Sequence, residues 1–147
     1  LAARKNWRIF LLGGKEGVAQ SVKRTILNEG KIAIDYFSGA ADIKKETAAE
    51  RKEAIKRINQ FEPDLLFVAY GAPWQEKWIA DNLPKLKVKT AMGVGGSFDY
   101  LAGKVKRSPE LVRKMGLEWF WRLLNQPWRI RRQIALIKFV YLFCLHS

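Results

Sequence analysis

Short apolar runs alternate with amphipathic stretches along the first two thirds of the chain. The runs lie at 7–12, 31–37, 65–70 and 88–94, and each ends at glycine or polar residues. Such brief apolar runs are typical of buried strands in a parallel sheet. Between them, apolar residues recur three or four positions apart, as on one face of a helix. We therefore predict βαβ units and an α/β fold with a parallel sheet.

The amphipathic stretches carry signals for helix ends. Val18, Val22 and Ile26 lie four residues apart and are followed by Gly30, a residue type that often ends helices. The segment TAAE at 47–50 matches a capping box, in which a threonine and a glutamate satisfy each other's backbone N–H groups. Both signals favour helices between the predicted strands.

The turn after each predicted strand is rich in glycine or polar residues. The turns read GGKEG, YFSGAAD, GAPWQEK and GVGGSFD. In an open parallel sheet, ligands bind at the edge where the strands end. Glycine lets backbone approach a ligand, and the N-terminus of a following helix offers N–H groups to a phosphate. We predict a nucleotide or phosphate site at this edge, while steric need within the turns alone also explains the glycines.

Four side chains in these turns have two interpretations each. Asp99 either accepts hydrogen bonds from ribose hydroxyls or caps the next helix. Gln75 either holds a sugar or a base edge, or is a solvated residue of a first helical turn. Trp74 and Trp78 are expected to pack rather than to stack on a ligand.

The last third of the chain is strongly basic. Residues 104–147 contain ten of the 27 Lys and Arg residues but two of the 14 Asp and Glu residues, so most of the +13 net charge lies there. Aromatic residues are interleaved with the arginines, and Pro127 separates two predicted helices. This composition suits a helix in the interface of an anionic membrane, and also a helix that packs on a partner, or a solvated basic face. We divide the chain into a core at 1–103 and a basic amphipathic helical appendage at 104–147.

Several classes of site are disfavoured by what the sequence lacks. With His146 and Cys144 as its sole histidine and cysteine, the chain has no set of ligands for an ordinary zinc site. It has no D-x-D motif, so we expect no metal and no cofactor, although scattered carboxylates stay open as ligands. We find no signal peptide and no apolar run long enough to span a membrane.

Four stretches in the same order resemble the WecG/TagA/CpsF glycosyltransferases. They are LLGGKEGVA at 11–19, GAPWQEKWI at 71–79, GVGGSFDYLAGKVKRSP at 93–109 and GLEWFWRLLNQPWRIRR at 116–132. The resemblance covers the whole chain and implies a Rossmann-like core with a C-terminal helical appendage. It also implies an inverting, metal-independent transfer of an N-acetylhexosamine, typically N-acetylmannosamine, from a UDP-sugar. The acceptor would be a polyprenyl-diphosphate-linked sugar at the cytoplasmic face of the cell membrane, in teichoic acid or polysaccharide synthesis.

The resemblance implies two sets of site residues. Arg122, Arg129 and Arg132 match arginines of the family's appendage in spacing and would stabilise the diphosphate leaving group, because a guanidinium is a planar, permanently charged partner for phosphate. Contact with lipid headgroups alone is the other role open to them. The UDP-sugar pocket, with Asp99 near the ribose, would be formed by Gly13, Gly14, Gly39, Gly71, Gln75, Gly95, Gly96 and Asp99.

Two departures from the family pattern stand out. Family members usually begin well before Leu1, and the earlier part bears the aspartate proposed as catalytic base; no aspartate of this chain matches it. We therefore expect a truncated reading frame or a fragment, with an exposed sheet edge that favours self-association. The family often has Tyr-Phe after the glycine that follows the second strand, whereas Ala40 and Ala41 follow Gly39 here. This predicts a change in donor affinity or choice.

Two further function classes stay open. The first is a truncated, non-catalytic module that docks on a membrane or a partner. The second is a nucleic-acid-binding protein, which the +13 charge and the interleaved aromatic residues suggest. Because the charge clusters around an apolar helix and no recognition module is visible, we do not expect nucleic acid as a partner. The expected partners are the UDP-sugar, the lipid-linked acceptor, an anionic membrane and a second copy of the chain.

Overall fold

The computed structural model describes residues 5–103, 109–117 and 121. The chain divides into two units, Leu1–Val105 and Lys106–Ser147, which are considered separately. In the second unit, α5 spans Glu110–Lys114. The predicted helix beyond Pro127 lies outside the described residues. None of the described helices is long and apolar enough to cross a membrane.

Four parallel strands form a single sheet in the described part of the first unit. The spatial order is β2-β1-β3-β4, with every neighbouring pair parallel. This confirms the predicted α/β fold with a parallel sheet. Five of the six residues of β1 are buried, as expected for an inner strand covered on both faces. The strands are β1 (Arg8–Gly13), β2 (Ala33–Phe37), β3 (Leu65–Ala69) and β4 (Thr90–Gly93).

Helices cover both faces of the sheet. The helices of this unit are α1 (Val18–Glu29), α2 (Ala48–Phe61), α3 (Trp74–Asn82) and α4 (Ser97–Leu101). Side chains of α1 and α4 pack against one face, and side chains of α2 and α3 pack against the other. The connections from β1 and from β3 therefore leave in opposite directions. This places the switch point of the topology between β1 and β3.

Two apolar clusters form the core, one on each face. Residues of β1 alternate between them, because successive side chains of a strand point to opposite faces. Burying each large aliphatic side chain contributes roughly 1.5–3 kcal/mol. The buried members on the α1 face are Ile9, Leu11, Val18, Ala19, Val22, Ile34 and Phe98. Those on the α2 face are Phe10, Leu12, Ala54, Ile58, Leu66, Val68 and Trp78.

The helix-end signals in the sequence are confirmed. Gly30 caps the end of α1, and its backbone N–H donates to the carbonyl of Leu27. At the start of α2, the Glu50 N–H donates to Thr47 Oγ1 at 3.2 Å, and the Thr47 N–H donates to Glu50 Oε2 at 2.8 Å. This reciprocal pair is the predicted capping box. It fixes the residue at which α2 begins.

Candidate functional site

The four turns that the sequence singled out lie at one edge of the sheet. Because all strands are parallel, their carboxyl ends meet there, at Gly13, Phe37, Ala69 and Gly93. The switch point between β1 and β3 opens at the same edge, which is the usual ligand position in such sheets. The structure thus gathers the predicted pocket glycines and the Gln75 and Asp99 turns around one edge.

Gln75 lies in the first turn of α3 and is 5% exposed. Its Oε1 accepts a hydrogen bond from the Gly95 N–H at 2.8 Å, and its Nε2 donates to Glu76 Oε1 at 2.7 Å. Its backbone N–H donates to the carbonyl of Gly71, in the turn after β3. The interpretation of Gln75 as a solvated residue is therefore wrong. Its contact with a sugar stays a prediction, and its visible role is to hold the turn after β4.

Gly93 is required by the position of Gln75. A Cβ atom on Gly93 would lie 2.6 Å from Gln75 Nε2 and 2.8 Å from its Cδ, closer than real Cβ atoms approach. The sequence contains this glycine in the GVGG run, but the run alone does not say which of its glycines faces a side chain. Gly93, the last residue of β4, therefore leaves room for the side-chain amide of Gln75, which holds the turn after β4.

Asp99 lies in the first turn of α4 and is half-buried. Gly96 holds the N-cap position, with no side-chain cap hydrogen bond, so the alternative role of Asp99 as the cap is wrong. Among the described residues, no hydrogen-bond or ion-pair partner is found for its carboxylate. Asp99 therefore offers acceptor oxygens at the ligand edge.

Phe98, in the first turn of α4, packs against the start of α1. It is 3% exposed and belongs to the same cluster as Val18. A Cβ on Gly14 would lie 3.4 Å from Phe98 Cδ2, an ordinary contact distance. The turn after β1 and the turn after β4 are therefore neighbours on the α1 face, as a shared pocket requires.

Tyr70 is a feature of this edge that the sequence reasoning missed. It follows β3, and its ring reaches over Gly13 to the turn at Gly39. A Cβ on Gly13 would lie 2.9 Å from Tyr70 Cδ1, and one on Gly39 would meet the Tyr70 hydroxyl. The space beside these two predicted pocket glycines is thus filled by a tyrosine, while their contact with a ligand stays a prediction.

The Tyr70 hydroxyl is buried and has no hydrogen-bond partner among the described residues. Burial raises the pKa of this hydroxyl far above its usual range, and the charge of Glu46 adds to the shift. The backbone of Ala40 opposes the shift, but no contact there reaches hydrogen-bonding geometry. The tyrosine therefore stays neutral at any ordinary pH, and its ring contributes packing.

Glu46 fastens the segment between β2 and α2 to α3. Its side chain is 1% exposed; Oε1 accepts from Trp78 Nε1 at 2.9 Å, and Oε2 accepts from Arg51 Nε at 2.7 Å. These two donors offset the cost of burying the carboxylate. Trp78 is 3% exposed, which confirms its predicted packing role. Trp74 is half-buried, and Lys44 Nζ lies 5.9 Å from the centre of its ring.

Of the basic residues expected near the ligand, the structure describes Lys15 but not the three arginines of the appendage. Lys15 is exposed in the turn after β1, and no partner is found for its side-chain ammonium group among the described residues. Arg122, Arg129 and Arg132 lie outside the described residues, so their role stays a prediction. In the part of the chain that the structure covers, no three His, Cys, Asp or Glu side chains group in a way that could hold a metal ion. The expected absence of a metal stays a prediction.

Comparison with known proteins identifies relatives along the whole chain. The sequence profile of the Glycosyl transferase WecG/TagA/CpsF family matches residues 1–147. The chain is similar to an N-acetylglucosaminyldiphosphoundecaprenol N-acetyl-beta-D-mannosaminyltransferase of Bacillus subtilis (strain 168), with 37% identity over 95% of this chain and 52% of the relative. A Staphylococcus aureus (strain MRSA252) protein of the same name is 35% identical over 91% of this chain and 51% of the relative. The chain thus spans about half the length of these relatives.

Proposed function

Because the chain belongs to the WecG/TagA/CpsF family of glycosyltransferases, we propose that it provides the donor-binding part of an N-acetylmannosaminyltransferase. The donor would be UDP-N-acetylmannosamine, and the acceptor N-acetylglucosaminyl-diphospho-undecaprenol. The names of the two relatives support this sugar and this acceptor. The product would serve teichoic acid or another cell-surface polysaccharide.

The observation that carries the donor proposal is the Asp99 carboxylate at the switch-point edge. Within the described residues it has no partner, although it lies half-buried in the first turn of α4, which follows the turn that Gln75 holds in place. A carboxylate accepts two hydrogen bonds from the vicinal hydroxyls of a ribose, as an acidic residue does in other nucleotide-binding sheets. The diphosphate would lie near Gly13 and Gly14, where Lys15 and the N-terminus of α1 favour negative charge.

The proposed reaction is a displacement at the anomeric carbon. A hydroxyl of the acceptor sugar forms the new bond with inversion, UDP leaves with the bonding electron pair, and a base removes the hydroxyl proton. Arg122, Arg129 and Arg132 would stabilise the charge that develops on the diphosphate, in place of a metal. No residue of this chain is assigned as the base. The basic appendage would hold the enzyme at the inner face of the membrane, where the lipid acceptor lies.

Calorimetric titration of UDP into the chain tests the donor site. We expect binding, and at least a tenfold loss of affinity, about 1.4 kcal/mol, in Asp99→Ala. The matched control is Asp81→Ala, which removes an exposed aspartate of α3 whose carboxylate has no partner among the residues that the structure describes. Equal affinity in Asp99→Ala and the wild type would contradict the assigned role of Asp99.

A transfer assay tests the reaction. The chain is mixed with UDP-N-acetylmannosamine and vesicles that carry N-acetylglucosaminyl-diphospho-undecaprenol, and the lipid-linked disaccharide is detected by mass spectrometry. We expect the disaccharide when the other half of a full-length relative is supplied, since the chain covers about half of such a protein. Salt-sensitive vesicle binding without UDP binding would favour the alternative, a non-catalytic docking module.

A further inference from the structure

Tyr70 crosses the switch point of the sheet. It follows β3, and its ring passes over the end of the neighbouring strand β1 and reaches the turn after β2. One side chain therefore contacts the ends of three adjacent strands. These ends carry the turns that the proposed donor site uses.

The contacts of Tyr70 are distributed along its length. Cδ1 and Cε1 would lie 2.9 and 3.0 Å from a Cβ on Gly13, and Cζ would lie 3.0 Å from a Cβ on Gly39. Both glycines also have positive φ angles, 89° and 64°, which other residues rarely adopt. The two turns and the tyrosine ring are thus fitted to each other, with no room for a larger side chain at either turn.

The ring is held in place from the α3 side. The Tyr70 and Trp78 rings meet edge to face, with centroids 5.9 Å apart and an interplanar angle of 67°. Trp78 is itself tied through Nε1 to the buried carboxylate of Glu46. Because the hydroxyl of Tyr70 has no hydrogen-bond partner in the part of the chain that the structure describes, packing of the side chain rather than a hydrogen bond fixes this arrangement.

We propose that Tyr70 is a positioning residue of the nucleoside diphosphate site. Its ring fills the crevice between β1 and β3 and sets the spacing between the turn at Gly13 and the turn at Gly39. A bound diphosphate is then held above the glycine backbone instead of sinking between the strands. This inference rests on the proposed function, because the ligand is the UDP part of the donor.

Two substitutions distinguish the contribution of the Tyr70 hydroxyl from that of its ring. Tyr70→Phe removes only the hydroxyl and keeps the ring over both turns. Tyr70→Leu reaches about as far as Cδ1, so it keeps contact with Gly13 and loses contact with Gly39. Phe61→Leu is the matched control, because Phe61 packs against the same apolar cluster at the end of α2, beside Phe10 and away from the glycine turns.

The experiment is UDP titration of the four proteins in parallel with amide hydrogen exchange. We expect Tyr70→Phe to bind UDP within about twofold of the wild type, and Tyr70→Leu to bind at least tenfold more weakly. Exchange at the amides of Gly39 and Ala40 should increase in Tyr70→Leu alone. Phe61→Leu should lower the melting temperature without a change in UDP affinity or in exchange at this turn.

Failure of the positioning role of Tyr70 and failure of the proposed donor give different results. If Tyr70→Leu binds UDP as tightly as Phe61→Leu does, the positioning role is wrong and the proposed function stands. If the wild type binds no UDP, the proposed donor is wrong for this chain and the role of Tyr70 in positioning that ligand falls with it. Unchanged exchange at Gly39 and Ala40 in Tyr70→Leu would overturn the inference in either case, because Tyr70 would then not order the turn. If Tyr70→Leu does not fold, Tyr70→Met replaces it.

Discussion

The side-chain oxygen of Gln75 accepts a hydrogen bond from the backbone N–H of Gly95 at 2.8 Å, across 20 residues of sequence. This bond joins the first turn of α3 to the turn between β4 and α4. Since Asp99 lies in the first turn of α4, directly after this turn, the position of the proposed ribose-binding carboxylate depends on a buried amide from another element. Substitutions at Gln75 and Gly93 therefore test how strongly this hydrogen bond stabilises the fold.

Replacement of Gln75 should destabilise the fold. In Gln75→Ala the Gly95 N–H loses its acceptor, and a partly buried donor without a partner costs about 1–3 kcal/mol. Urea denaturation measures the free energy of unfolding of the variant and the wild type. Gln20→Ala on the exposed side of α1 is the control, and its effect should stay within about 0.5 kcal/mol. Equal effects of the two substitutions would contradict the bracing role.

An added methyl group at the end of β4 should disturb the same brace. Gly93→Ala places its Cβ 2.6 Å from Gln75 Nε2, and overpacking of this kind costs about 1–3 kcal/mol. Gly30→Ala is the control, because no atom of the described residues lies within 4 Å of its Cβ position and its φ of 161° is open to any residue. Both are measured by urea denaturation.

A double-mutant cycle identifies the cause of the Gly93 effect. If the clash is with Gln75, the double variant of Gly93→Ala and Gln75→Ala should be less unstable than the sum of the two single effects. Additive effects would show that the added methyl group disturbs something other than the amide. The cycle therefore tests the contact itself and not only the sensitivity of the position.

The strands and helices of the first unit could be predicted because their signals are local. A buried run such as that of β1, and the capping box at Thr47 and Glu50, depend on residues next to each other in the sequence. The edge at which the four turns meet also followed, since parallel strands end together. The strand order did not follow from the sequence, because it depends on which way each connection crosses the sheet.

The side chains that shape the site were harder to predict. Tyr70, at the end of an apolar run, looked like one more strand residue, and no pattern in the sequence singled out Glu46. Their roles arise from contacts with Gly39 and Trp78, which lie 31 and 32 residues away. A cue for Tyr70 existed in Gly13 and Gly39, since glycines make room for a neighbouring side chain as readily as for a ligand.

Replacement of Gly39 should separate backbone strain from a side-chain clash. Gly39→Ala combines a positive φ of 64° with a clash against the Tyr70 hydroxyl and the adjoining ring atoms. Gly17→Ala has a similar φ of 73°, but nothing in the described ranges of the chain lies within 4 Å of its Cβ position. The shared strain costs roughly 1–2 kcal/mol, so Gly39→Ala should be the less stable variant by a further 1–3 kcal/mol or so. Thermal and urea denaturation of both variants check this difference.

Adding Tyr70→Leu to Gly39→Ala tests whether the tyrosine causes the loss of stability. If the excess cost of Gly39→Ala comes from the tyrosine ring, adding Tyr70→Leu should recover part of it, because leucine is too short to meet the new methyl group. A double variant that is as unstable as the sum of its parts would mean that the turn at Gly39 is strained for another reason.

Asp64 joins the starts of three strands at the edge opposite the site. Its Oδ2 accepts from the Arg8 backbone N–H at 2.8 Å, its Oδ1 lies 2.6 Å from Lys89 Nζ, and its carbonyl accepts from the Thr90 N–H. Lys89, and then the Arg8 N–H, lower the pKa of this carboxyl below its ordinary value of 3.8. The charged form is therefore favoured in the folded protein, and the group links stability to pH.

The stabilisation from Asp64 should be present above pH 3.8 and should be lost as the pH falls through the lower pKa of the folded state. Urea denaturation between pH 2 and pH 6 should show a smaller loss of stability on acidification in Asp64→Asn than in the wild type. Some loss should remain in the variant, because the Thr47 backbone N–H also lowers the pKa of Glu50. The control Asp81→Asn should keep the slope of the wild type. A wild-type slope in Asp64→Asn would mean that the carboxyl is not coupled to folding.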